Sequence, residues 1–129
     1  MKVFSSVTIN YPEKWKVGIA PGNTAAIFTD GSATLEVHSP NPKATSAQEI
    51  AQSAMKSLLA GGSVISSGTG KAGGQDTYWY QVSRGGQRVR VVGVDGPTRI
   101  VLIERAPASR FTGYAGVFSQ LEEKIMFSK

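Results

Sequence analysis

The amino-acid sequence predicts an α+β fold, a central antiparallel sheet of about six or seven strands with two main helices. Three observations carry this. Short segments rich in β-branched residues recur between hairpin signals, a capped amphipathic stretch sits mid-chain, and a second amphipathic stripe closes it. The order of strands, helix, strands, helix, joined by tight turns and not by crossovers, calls for helices packed on an antiparallel sheet. A length of 129 residues suits one domain, so 1–129 is read as a single unit. A β-rich barrel with peripheral helices is the competing architecture.

Val3 to Asn10 reads as an edge or half-buried strand, broken by Pro12. Trp15 to Ile19 is a short second strand, closed by Pro21-Gly22-Asn23. Ala25 to Thr29 and Ala33 to His38 form a hairpin about Asp30-Gly31. In its second arm Leu35 and Val37 share one face, while Thr34, Glu36 and His38 share the other.

Pro40-Asn41-Pro42 ends these strands. Ser46 and Glu49 then make a capping box, each side chain satisfying a backbone N–H of the first helical turn. Ile50, Ala51, Ala54, Met55, Leu58 and Leu59 follow at helical spacing, and Gly61-Gly62 stops the helix. Val64 to Ser67 is a strand leading into a glycine-rich loop, Gly68 to Gly74. Thr77 to Ser83, Gln87 to Val94 and Thr98 to Arg105 read as an antiparallel meander, turning at Gly85-Gly86 and Asp95-Gly96-Pro97. Pro107 opens the last helix, whose stripe is Phe111, Tyr114, Val117, Phe118, Leu121 and Ile125, with Glu122, Glu123 and Lys124 mostly outside.

Composition excludes several kinds of chemistry. The absence of cysteine rules out disulfides, thiolate nucleophiles and Cys-based metal sites. No apolar run approaches the ~20 residues of a membrane-spanning helix. The start has no signal-peptide h-region, so the chain is read either as cytoplasmic or as extracytoplasmic with its targeting segment removed, and the second reading is preferred.

Gly68-Thr69-Gly70-Lys71-Ala72-Gly73 matches the dinucleotide fingerprint G-x-G-x-x-G in letters only. That motif needs a following helix to hold the pyrophosphate, and here strand-like Thr77-Tyr78-Trp79-Tyr80 follows. It is read as a hairpin connection, and no cofactor is expected. His38 is the sole histidine; with Glu36 it makes at most a two-ligand, incomplete metal site, and a small enzyme built on this pair is the least favoured reading. No serine stands in a nucleophile-elbow context, and no carboxylate pair is identifiable as an acid–base dyad.

Charge is more informative. The net charge is +5, and all six arginines fall between residues 84 and 110, where only Asp95 and Glu104 oppose them. If Asp95 to Pro97 joins its strands through an even-numbered loop, Arg88, Arg90, Arg99 and Arg105 point to one side with Val92, Val94, Val101 and Ile103. Val89, Val91, Ile100 and Leu102 would then form the core face. Such a mixed apolar and arginine surface is what a docking partner uses. The rival reading has these arginines flanking the sheet and pairing with Glu104, Glu36 or the helix acids. Nucleic acid is disfavoured as a partner, since no nucleic-acid motif accompanies the basic residues.

The order of elements also resembles a known family. Val7-Thr8-Ile9-Asn10-Tyr11-Pro12-Glu13-Lys14-Trp15 resembles the strand, Tyr-Pro-x-x-Trp start of the PsbP-like superfamily. That superfamily includes the extrinsic photosystem II subunit, a Ran-binding nuclear protein, and bacterial secreted or lipoprotein domains. The helix with Ser46, Glu49, Ile50 and Leu58 is similar to the family's. So are Gly74 at a strand start, the meander, and a closing helix ending in Ile125-Met126-Phe127-Ser128. The resemblance implies an α/β/α sandwich and a role in binding or assembly. Similar domains are appended to bacterial metalloproteases; H-E-x-x-H is absent here, so an accessory domain is the only form of that likeness that applies. No functional residue is carried over.

The expected function is therefore a non-catalytic binding or accessory domain, bacterial and extracytoplasmic, docking a protein or envelope partner through Arg88, Arg90, Arg99 and Arg105. The alternatives are an accessory domain of a larger protein such as a secreted protease, or a binder of an anionic polymer or membrane surface, whose mark is steep salt dependence.

Overall fold

A computed structural model of the chain describes residues 2–4, 6–20, 25–40, 42–58 and 62–127. In chain order the elements are β1 (Lys2–Val3), β2 (Val7–Thr8), β3 (Lys16–Ile19), β4 (Ala25–Thr29), β5 (Thr34–His38) and α1 (Ala47–Leu58). There follow β6 (Ser63–Ala72), β7 (Gln75–Arg84), β8 (Gln87–Asp95), β9 (Ile100–Pro107), α2 (Phe111–Glu123) and β10 (Met126–Phe127). The main sheet has seven strands in the order β3-β4-β5-β9-β8-β7-β6, antiparallel throughout. β1, β2 and β10 make a separate three-stranded sheet.

The two faces of the main sheet carry two cores. On one, Phe28, Leu35, Val37, Val92, Val94, Ile100 and Leu102 pack with Phe118 and Leu121 of α2 and with Val3, Val7 and Ile9 of the small sheet. On the other, Ile50, Ala51 and Ala54 of α1 pack on Tyr80, Val82, Val89, Val91, Val101 and Ile103. Both valine sets of β8 are thus buried, because a strand sandwiched between two helices needs apolar residues at both parities. The expectation of a single core face is corrected. The strict alternation in β5 matches its reading from sequence, with Leu35 and Val37 buried and Glu36 and His38 half-buried.

Two glycine pairs make the long hairpins. Gly73 and Gly74 have φ of 55° and 79°, as do Gly85 and Gly86, the paired positive values that a two-residue hairpin turn demands. The glycine-rich loop predicted over 68–74 is therefore a turn only at its end. Gly68 to Ala72 are β6, paired with β7 from Ala72↔Gln75 to Gly68↔Trp79. Gly68 has a packing role: a Cβ there would stand 2.8 Å from the Trp79 ring, which lies across it. Gly93 serves likewise on the other face, where a Cβ would meet the Ala47 carbonyl at 2.2 Å and block the docking of α1.

Other expectations are corrected in detail. The strand predicted over Val3 to Asn10 is two short strands folded on each other, with Val3 opposite Val7, and it lies outside the main sheet. This folding buries Val3, Val7 and Ile9 together. Pro107 ends β9, and the last helix begins at Phe111. That helix stops at Glu123, and Met126–Phe127 turns back as β10 on β2, so Ile125 is buried from beyond the helix. At the start of α1 only the Ser46 half of the expected capping box forms: the Glu49 N–H donates to Ser46 Oγ at 3.2 Å, whereas the Glu49 carboxylate accepts from the hydroxyls of Ser46 and Thr45 and not from a backbone N–H. Pro21-Gly22-Asn23, Asn41, Leu59, Gly61 and Ser128 lie outside the described residues, and so do the parts of the sequence expectations that rest on them.

Candidate functional site

The register of β8 and β9 decides where the arginines point. Val94 stands opposite Ile100, Arg90 opposite Glu104 and Arg88 opposite Ala106, so the connection is the five residues 95–99. An odd loop reverses the predicted parity. Arg88 and Arg90 face α2, whereas Arg105, opposite Val89, faces the α1 side. The four arginines do not share one face.

Arg90 enters a buried cluster. Its Nη1 donates to Glu104 Oε1 at 3.2 Å and to Glu122 Oε2 of α2, and its guanidinium carbon sits 5.0 Å from the centre of the Trp79 ring. Glu104 is fully buried and Glu122 nearly so, which corrects the outward placement expected for Glu122. Two carboxyls share one cation. Burial above all, then the hydrogen bond and charge of Glu122, push the Glu104 carboxyl well above its ordinary value despite Arg90.

On the α1 side, Glu36 joins two partners. His38 Nε2 lies 2.8 Å from Glu36 Oε1, and Arg105 Nε lies 2.9 Å from Oε2. Partial burial raises the Glu36 carboxyl, but the His38 hydrogen bond and the charges of Arg105 and His38 outweigh it, leaving it below its ordinary value. α1 packs on β7, β8 and β9, and this trio stands beside it on β5 and β9, about one-fifth exposed. Arg99 pairs with Asp95 at 2.9 Å and reaches the Ala44 carbonyl. Arg90 and Arg105 thus make the carboxylate pairings that the rival reading anticipated.

Sequence parity overlooked a different grouping. Arg84 precedes the β7–β8 turn, Arg88 follows it, and Arg110 follows β9. All three lie at one end of the sheet, where the Ala108 N–H donates to the Gly86 carbonyl at 3.1 Å and Arg110 Nη1 reaches Ser32 Oγ in the β4–β5 turn at 3.4 Å. Among the described residues, none of these three arginines has a carboxylate within ion-pair distance. The nearby acid, Asp30, is occupied by the Tyr114 hydroxyl at 2.5 Å and by the N–H groups of Ser32 and Ala33. The available signal was turn position: Arg84 and Arg88 flank Gly85-Gly86 at one tip, with Arg84, opposite Gln87, directed to one face of the sheet and Arg88, opposite Ser83, to the other.

Three surface depressions have volumes of about 300–370 Å³. The one against α2 is lined by Asn10, Tyr11, Pro12, Val117, Leu121 and Lys124, with no pair of titratable groups suited to acid–base work. Among the described residues no three His, Asp or Glu side chains are grouped to hold a metal ion. Among the described residues no helix is long and apolar enough to cross a membrane.

Neither a protein-family model nor a curated protein sequence matches the chain. Solved structures do. The cyanobacterial PsbP protein (CyanoP) of Synechocystis sp. PCC 6803 is similar with a TM-score of 0.66 at 15% identity, over 95% of this chain and 92% of that one. LpqN of Mycobacterium tuberculosis, described as involved in cell envelope biogenesis, is similar with a TM-score of 0.61 at 12% identity, over 95% and 83%. A Pseudomonas aeruginosa protein of unknown function, PA94, has a TM-score of 0.55 at 11% identity, over 92% and 95%. The chain has the PsbP-like fold that its sequence resembles.

Proposed function

We propose that this chain is a non-catalytic accessory domain, bacterial and extracytoplasmic, that docks an acidic protein surface through its arginine-rich end. The observation that carries the reading is the set Arg84, Arg88 and Arg110, placed at one end of the sheet, on both of its faces, with no carboxylate within ion-pair distance among the described residues. Guanidinium groups without a carboxylate partner are suited to bidentate contacts with carboxylates, and the buried Arg88 Nε has no hydrogen-bond partner among the described residues. Of the arginines first assigned to docking, Arg88 remains central. Arg90, Arg99 and Arg105 are engaged within the fold by Glu104, Asp95 and Glu36. The likeness to LpqN, an envelope-biogenesis protein, supports the extracytoplasmic reading.

The test is site-specific photo-crosslinking in the native host, with the probe at Arg88 and, as control, at Gln52 on the exposed side of α1. A protein adduct from position 88 alone, lost on Arg84→Glu with Arg110→Glu, supports the reading. Adducts equal at both positions, none at either, or an adduct to nucleic acid would each overturn it. Recovery of the full-length product in the cytoplasmic fraction would remove the extracytoplasmic part.

A further inference from the structure

We propose that His38 and Arg105, held in place by Glu36, form a pH-dependent site for a small oxyanion, a carboxylate or phosphoryl group. The site lies on the opposite face from Arg88, and the proposal is independent of the docking surface.

The geometry is that of a carboxylate orienting two cationic groups. Glu36 and His38 are alternate residues of β5 and project to the same side; Arg105, opposite Thr34 on β9, reaches Glu36 diagonally. Glu36 Oε1 is hydrogen-bonded to His38 Nε2, and Oε2 faces Arg105 Nε at ion-pair distance without hydrogen-bond alignment, so both its oxygens are engaged. What this leaves over is specific: the terminal nitrogens of Arg105 and Nδ1 of His38 have no partner among the described residues. Two parallel N–H groups on a fixed guanidinium match a carboxylate or phosphoryl edge. Partial burial, with Arg105 26% exposed, shields the contact from water without closing it off.

A salt bridge between Glu36 and Arg105 alone would be the commoner explanation of such a pair, and it would leave the histidine idle. Here the histidine is joined to the same carboxylate. With Nε2 bonded to Glu36, the free Nδ1 of neutral His38 carries a lone pair and repels an oxyanion. Once His38 is protonated, Nδ1 becomes a donor and the trio changes from zero to +1. Around it on the same face are Lys16 of β3, in the cross-strand row through Thr29 and Thr34 to Arg105, and the Arg99–Asp95 pair at the start of β9. α1 bears the exposed Glu49 and Lys56 above β7–β9. The acids next to the site are already paired, so the field favours an anion, more strongly at low pH.

Sulfate is the suitable probe, because its charge is constant where histidine titrates. Nitrogen-15 NMR of the whole chain would follow the Arg105 Nε–H and His38 ring signals during sulfate titration against chloride at equal ionic strength. The expected result is saturable binding, roughly fivefold tighter near pH 5.5 than near pH 8. His38→Gln should keep binding but lose that ratio, and Arg105→Gln should abolish it while the spectrum stays dispersed. Methyl phosphate and acetate, run in parallel, distinguish a phosphoryl from a carboxylate ligand. No saturable shift with sulfate, or binding that survives Arg105→Gln, would overturn the proposal. So would a pH ratio unchanged in His38→Gln.

Discussion

Arg90 on β8 and Glu122 on α2 are joined by a direct charge-assisted hydrogen bond across the seam between sheet and helix. The same guanidinium holds Glu104 of β9 and lies over Trp79 of β7, so a single side chain ties three strands to the helix. The pair is a positional lock for α2, which otherwise packs on the sheet through its apolar stripe and hydrogen-bonds to the turns through Tyr114 and the Glu122 carbonyl.

Removing the cation should be costly. Arg90→Ala leaves Glu104 and Glu122 facing each other without compensation, and the expected loss is about 3–5 kcal/mol in urea unfolding. Replacing all three members together by Met or Leu of similar volume should cost far less, since desolvation of the charges then disappears with the charges. Equal losses in the two variants would show that the cluster acts through packing alone.

Glu104 gives stability a slope with pH. Its carboxyl holds a proton more tightly in the folded chain than its ordinary value of 4.5 allows, so the folded state binds more protons over the window above that value. This contribution is complete below the window and is lost as pH rises through it to the raised value. Glu36 and Asp30, both lowered, act oppositely: their contributions hold above their ordinary values and fall away in acid. The urea midpoint should therefore be highest in mildly acidic solution and decline toward alkaline pH. Glu104→Gln should flatten the alkaline limb and leave the acid limb in place.

The Trp79 ring resting on Gly68 makes a second separable prediction. In Gly68→Ala the new methyl would stand 2.8 Å from the ring, forcing the indole off β6 and away from Arg90. The expected destabilisation is about 1–3 kcal/mol, with a changed near-ultraviolet circular dichroism signal. In a Trp79→Leu background the same substitution should cost much less, and additive losses would refute the contact as the cause.

Much of the fold was legible in short stretches of sequence. Asp30-Gly31, Gly85-Gly86, the Ser46–Glu49 cap and the alternation about Leu35 and Val37 all depend on neighbours within a few residues, and local chemistry suffices for these. Gly68 to Ala72 misled because glycine signals a turn locally, whereas here it makes room for a ring on the neighbouring strand. Glu122 misled because a charged residue in a helix is usually outside, unless a buried arginine from another element claims it.

By itself, then, the sequence determined the kinds and order of elements, the PsbP-like architecture, and the concentration of arginine between residues 84 and 110. Tertiary structure alone decided how those arginines are divided. Side-chain direction in a strand has a period of two, so one residue more in the 95–99 connection sends Arg105 to Glu36 and His38 while Arg90 goes to Glu104 and Glu122. That register pairs Val94 with Ile100 in the core shared with α2 and the small sheet, a constraint that acts across the core and leaves no mark in the local sequence.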